Sequence, residues 1–228
     1  MSTDTGPTTL RGGPRRLGFG ALLALTMASS TFALTVFSVL AGSLLDTFAL
    51  RRWQLGALVT AAAGVGACAS PILGRLSDRL GGRGALQLTL GLSALALAGV
   101  ALSPLYQVLL GAALVSGLAQ AMANPATNKL IGIHVAGGSR GTMTGVKQAG
   151  VQVGVFLGGA LLPLGAVHLG WRQAVVIASI VPLLGLLASR WLLPDAVPAA
   201  GRPPVRGAVS RSPFLLRLAL YGFLIGAG

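Results

Sequence analysis

Gly74-Arg75-Leu76-Ser77-Asp78-Arg79-Leu80-Gly81-Gly82-Arg83 is the stretch that decides how this chain folds. Four of its ten residues are charged, yet the stretches on either side, Trp53–Leu73 and Gly84–Leu102, carry no charge at all. Each flank is about as long as the 20 apolar residues that cross a bilayer core as a helix. A short charged segment between two such stretches reads as a hairpin that reverses the chain at a membrane surface.

The bulk composition agrees. A soluble domain carries about a quarter charged residues; this chain has 9%, with 54% apolar residues and a mean hydropathy of +0.80. Its solvent is lipid. Glutamate is absent, and the acids are Asp4, Asp46, Asp78 and Asp195. A net charge of +13 in a soluble protein suggests nucleic acid. In a lipid-solvated chain it poses a question of topology instead, and no nucleic-acid partner is expected. The single Cys68 lies in an apolar run, so no intrachain disulfide forms.

Working outward from the hairpin, six stretches are long and apolar enough to span: Gly20–Leu45, Trp53–Leu73, Gly84–Leu102, Leu105–Lys129, Gly141–Val167 and Trp171–Leu193. The first is too long for a signal-peptide core and reads as an uncleaved span. Residues 1–16 form a tail before the bundle of 17–193. Residues 194–213, rich in Pro and Arg, read as a hydrated linker. A seventh span opens at Phe214 and is cut at Gly228, so the chain is expected to be an incomplete gene product.

If the N-terminus is cytoplasmic, Arg51, Arg52 and Arg172 fall outside, Lys147 lies within a span, and every other basic residue falls inside. The excess of basic residues in cytoplasmic loops then fixes a cytoplasmic N-terminus.

Polar residues inside spans carry the functional reading. Ser116, Gln120, Asn124 and Asn128 recur every four residues in the fourth span, on one slowly drifting face. Amides are costly against lipid, so the stripe meets either neighbouring helices or a watered cavity. Thr31, Thr35 and Ser38 make a milder stripe in the first span. Lys147 is the one basic residue within a span, and intramembrane charge is functional by default. Two readings stay open. Lys147 stands six residues from Gly141, about 9 Å along a helix, so its stem either snorkels to the interface or faces an anionic solute. Gln148, beside it in sequence, is a candidate for the same cavity. In the fifth span, Gly150, Gly154 and Gly158 share a face, with Gly159 beside them. Small residues at that spacing let helix backbones approach closely in lipid.

Gly74, Asp78, Arg79, Gly81 and Arg83 together resemble the signature loop between the second and third helices of the major facilitator superfamily of transporters. Gly82 replaces the first residue of that motif's closing basic pair. Gly141, Gly150, Gly154, Gly158 and Gly159 resemble the fifth-helix motif of the family's antiporters, with Val155 in place of its proline. Gly170-Trp171-Arg172 resembles the segment that opens the sixth helix. An arginine found in the fourth helix of many members is missing.

The resemblance implies an all-α membrane protein with six helices as two inverted three-helix repeats, followed by a truncated seventh. It implies a secondary transporter in the cell inner (plasma) membrane, moving a small solute by alternating access, with no metal or other cofactor. Its partners would be the small-molecule solute, anionic if Lys147 faces it, the bilayer, and the missing C-terminal half. The signature loop, braced by Asp78 against the second half, would act as a cytoplasmic latch. The substrate cavity would draw on Lys147, Gln148, Gln120, Asn124, Thr31 and Thr35.

Other readings of the residues remain. A six-helix remnant or scaffold that transports nothing fits the apparent truncation, as does a half-transporter working as a homodimer. An intramembrane serine protease fits poorly: Leu114 stands where the Ser116-Gly117 pair needs a preceding glycine, and His134 and His168 are expected in loops.

Overall fold

The computed structural model describes residues 13–193. Its elements are α1 (Gly13–Val39), α2 (Ala41–Phe48), α3 (Arg52–Leu102), α4 (Tyr106–His134), a 3-10 turn at Gly137–Ser139, α5 (Arg140–Leu169) and α6 (Trp171–Leu192). The start of the tail, the linker expected at 194–213 and the seventh span expected from 214 lie outside the described residues. Helices are the natural outcome of this composition. In hydrocarbon each backbone N–H and C=O must be satisfied within the protein, and a helix does so within its own segment.

The α3 helix has 51 residues, about 76 Å at 1.5 Å per residue. That is more than twice a bilayer core of about 30 Å. It is in fact two limbs meeting at Gly81, whose φ of 73° and ψ of 170° belong to glycine alone. The limbs run antiparallel. Leu58 of the first shares a core with Ala96, Leu97 and Val100 of the second. Leu73 shares another with Ala85, Leu86 and Leu90. The expected ten-residue hairpin is therefore corrected: the reversal takes one residue, and Arg75, Asp78 and Arg79 ride the last turns of a helix. With the two limbs counted separately, α1, α3, α4, α5 and α6 supply six apolar crossings.

The first span is also corrected. It ends at Val39 rather than Leu45, and after a break at Leu40 the short α2 continues to a left-handed cap at Ala49. His134 and His168 lie in the last turns of α4 and α5 rather than in loops.

Two helix pairs are held by backbone-to-backbone contact. Gly117 of α4 lies directly on the Ala62 carbonyl of the first limb of α3, and a Cβ on Gly66 would come within 2.9 Å of the Gly117 oxygen. In α5, Gly150 lies on the Ala24 backbone of α1, Gly154 on Ala28, and Gly158 on the Phe32 ring. Gly159 does not join them: it is exposed, and a Cβ there would meet nothing within 4 Å. It is one residue, about 100° of helix turn, away from the packed face.

The core has two apolar layers. One gathers Phe37, Leu58, Leu97, Leu109 and Val175, the other Phe19, Leu23, Leu86, Met122 and Leu130. Along α1, Thr31 falls between Leu23 of one layer and Ala33 of the other; along α4, Gln120 falls between Met122 and Ala113. The polar residues are thus placed where two apolar layers part.

Adding a methyl group distinguishes the glycines. Gly117→Ala and Gly150→Ala each force helices apart and should destabilise by about 1–3 kcal/mol. Gly159→Ala should be neutral or slightly stabilising, because alanine is the better helix former by about 1 kcal/mol. Thermal unfolding in detergent checks this, and equal melting of the Gly150 and Gly159 variants would remove the packing argument.

Candidate functional site

The α4 stripe divides by function. Ser116 is buried and donates to the Ala112 carbonyl at 3.0 Å, so its hydroxyl is used within its own helix. Gln120 and Asn124 line a cleft of about 420 Å³, together with Leu34, Gly66, Ser70 and Pro125. Pro125 has no N–H to offer the Ala121 carbonyl, and both residues line that cleft. Thr31 of α1, which does not itself line the cleft, donates to Gln120 Oε1 at 3.5 Å, the outer limit of a hydrogen bond. Thr35 instead donates to its own helix, at the Phe32 carbonyl.

Lys147 does not snorkel. Its side chain is 3% exposed, about seven residues or 10 Å into α5. Its ammonium reaches sideways to α4, donating to Asn124 Oδ1 at 3.2 Å, Thr127 Oγ1 at 3.2 Å and Asn128 Oδ1 at 2.5 Å. Glycine packing explains the reach. Lys147 shares the buried stripe of α5 with Met143, Gly150 and Gly154, and the contact of Gly150 with α1 brings it within range. Gln148 is exposed and does not join this cluster. Among the described residues the acids are Asp46 and Asp78, both exposed, so Lys147 has no carboxylate partner there. No group of three or more His, Cys, Asp or Glu that could hold a metal converges among the described residues.

Thr127 was not singled out in the sequence, and Asn128 was read as part of the α4 stripe but not among the named substrate-cavity residues. A signal for them existed: Asn124, Thr127 and Asn128 stand at i, i+3 and i+4, which is one helix face.

At the Gly81 end, Lys129 of α4 donates to the carbonyls of Ser77 and Asp78 at 3.1 and 3.0 Å, and to Asp78 Oδ1 at 3.1 Å. It caps the C-terminus of the first α3 limb, where carbonyls lack helical donors. Asp78 thus finds its ion-pair partner within this bundle. Arg79 is exposed, Gly74 is half-buried, and Arg83 donates to the Arg190 carbonyl at 3.4 Å, in the last turn of α6. Arg140 donates to the carbonyls of Val135 and Gly132 where α4 ends. At the opposite end Arg172 caps the second α3 limb through the Ala101 carbonyl at 2.8 Å and stacks on Trp171 and Phe48.

A one-residue reversal under a Gly-x-x-x-Asp-Arg helix end, glycine-packed helix pairs and six apolar crossings form one pattern. A family model described as the Major Facilitator Superfamily matches residues 19–228. The chain belongs to that superfamily. It is a multi-pass, all-α membrane protein.

This superfamily member is similar to a gallate transporter of Pseudomonas putida, with 29% identity over 167 residues, 72% of this chain and 37% of that protein. It is also similar to the crystal structure of a bacterial homologue of the human lysosomal transporter Spinster, in an inward-facing and unoccupied conformation. The TM-score there is 0.71 at 21% identity, over 86% of this chain and 48% of that one. The chain spans less than half the length of either relative.

The Lys129 geometry makes a contrast that stability measurements can read. Asp78 is 78% exposed, and exposed ion pairs contribute about 0–1 kcal/mol, so Asp78→Asn should hardly change unfolding. Lys129→Met strips donors from two helix-end carbonyls and should cost about 1–3 kcal/mol. Equal losses for the two variants would show that the ion pair, rather than the cap, matters.

Proposed function

We propose that this chain contributes a six-helix unit to a secondary transporter that moves a small organic anion by alternating access. The observation that carries the reading is Lys147, a cation buried in an apolar bundle with only neutral oxygens around it. Intramembrane charges are rare and mark solute or ion pathways. A buried cation without a carboxylate is a place that an anion would neutralise. The similarity to a gallate transporter supports the same class, since gallate is a carboxylate.

The cleft bearing Gln120 and Asn124, where Asn124 is bonded to Lys147, is where the solute enters. Asp78, Arg79 and Arg83 at the Gly81 reversal act as a latch that opens and closes one face. That face is the cytoplasmic one, because Arg75, Arg79, Arg83, Lys129, Arg140 and Arg190 gather there against Arg51, Arg52 and Arg172 at the opposite end. The cell membrane is the expected location.

Uptake of labelled gallate into proteoliposomes holding the full-length protein tests the reading. Lys147→Gln keeps hydrogen bonding but removes the charge, and should lower uptake about a hundredfold while expression and monodispersity persist. Unchanged kinetics would remove Lys147 from the mechanism. Asp78→Ala and Arg79→Ala should each slow transport without changing insertion, and normal uptake by both would rule out the latch.

A further inference from the structure

The Lys147 cluster holds more than a buried charge. An ammonium has three N–H donors and no acceptor. The three donors of Lys147 are matched by three oxygens, Asn124 Oδ1, Thr127 Oγ1 and Asn128 Oδ1. With the side chain 3% exposed, a carboxylate entering the cleft finds neither a vacant donor on Nζ nor a path to it.

The same bonds orient the two carboxamides. Because lysine cannot accept a hydrogen bond, each asparagine must turn its oxygen inward to Nζ, which turns its NH2 away. Both asparagines are exposed, and Asn124 lines the cleft. At i and i+4 they are neighbours on the α4 surface, about 5–6 Å apart at Cβ. Thr127 closes the inner side: it accepts from Nζ and donates its own proton to the Ala123 carbonyl at 2.7 Å. The cluster therefore shows its oxygens to the lysine and its amide hydrogens to the open face.

We propose that the Nδ2 groups of Asn124 and Asn128 are the cradle that binds the solute's carboxylate, and that Lys147 is a positioning residue that does not touch the solute. It fixes both amides oxygen-inward and supplies the positive potential from behind them. This rests on the anion reading above and specifies which atoms meet the anion.

Binding of gallate, benzoate and acetate to the full-length protein in detergent, by titration calorimetry, separates the possibilities. Asn128→Leu and Asn124→Leu each free one N–H on Lys147 while deleting one amide donor. The cradle requires each to weaken binding of the preferred carboxylate about tenfold or more. Asn128→Asp, nearly isosteric, pairs directly with Lys147 and should abolish binding while the melting temperature holds or rises. If the leucine variants bind as tightly as the wild type or more tightly, the ammonium itself takes the solute; the cradle is overturned and the anion reading stands. If the wild type binds none of the three anions, both readings fall.

Discussion

Hydrocarbon offers no hydrogen bonds, so every backbone group and every charge buried in this bundle has to be met by another part of the protein. The chain has 17 basic residues and four acids, and carboxylates cannot do most of that work. Helix C-termini take their place. They expose carbonyls without helical donors and bear the negative end of the helix dipole. Lys129 covers the end of the first α3 limb, Arg172 the end of the second, Arg140 the end of α4 and Arg83 the end of α6. The Lys129, Arg172 and Arg83 contacts join helices distant in sequence, at both faces, so the basic residues that orient the chain also fasten it. The contact made by Lys129 also includes a carboxylate, that of the exposed Asp78.

Between the capped ends, glycine sets the spacing. A helix pair whose backbones touch, as α5 does on α1 at Gly150 and Gly154, has no layer of side chains to absorb misplacement. Lys147 is one turn from Gly150 on the same stripe, so its reach to α4 is determined by that contact. The matching contact of α4 on the first α3 limb, at Gly117 and Ala62, fixes the other wall. Gly66, beside that contact, lines the cleft with Gln120 and Asn124. Packing and site are thus one arrangement, and a methyl group at Gly150 would disturb the lysine's bonds as well as the helix interface.

The six crossings among the described residues, the place of the reversal between the second and third of them, and the packed face of α5 could be read from the sequence, because each depends on periodicity or on charge against apolar length. The extents of the helices were harder. The charged residues at 74–80 look like loop, yet they are helical, because a single glycine with positive φ suffices to turn the chain. The destination of Lys147 was harder still. Spacing gives a residue's depth and its face on its own helix, but it does not say which helix is opposite. The distance to the interface allowed snorkelling, and only the neighbouring amides of α4 decided against it. Lys129, at the end of the fourth span, and Arg140, just before the fifth, entered the sequence reading only through their charge, because spacing does not say which helix-end carbonyls a basic side chain will cap. Gly159 is the converse case: grouped with the packing glycines in the sequence, it stands one residue off their face and is exposed.

An ammonium whose three donors are all occupied still exerts its charge. Neutral oxygens satisfy the geometry of its hydrogen bonds, but they are dipoles and leave the net positive charge in place. A carboxylate held by the outer amides would lie beyond two hydrogen bonds and the carboxamide between them, roughly 7 Å from Nζ. At an effective dielectric constant of about 20, two unit charges at that distance attract by about 2.4 kcal/mol, or about fiftyfold in affinity. That is enough to select an anion from neutral solutes of the same shape. A directly bonded ion pair would gain more attraction but would require the carboxylate to shed its water in the core of the bundle, where desolvation offsets much of the gain. In the alternating-access carrier proposed above, which must release its solute on each cycle, attraction through an intervening layer of amides gives selectivity without a trap.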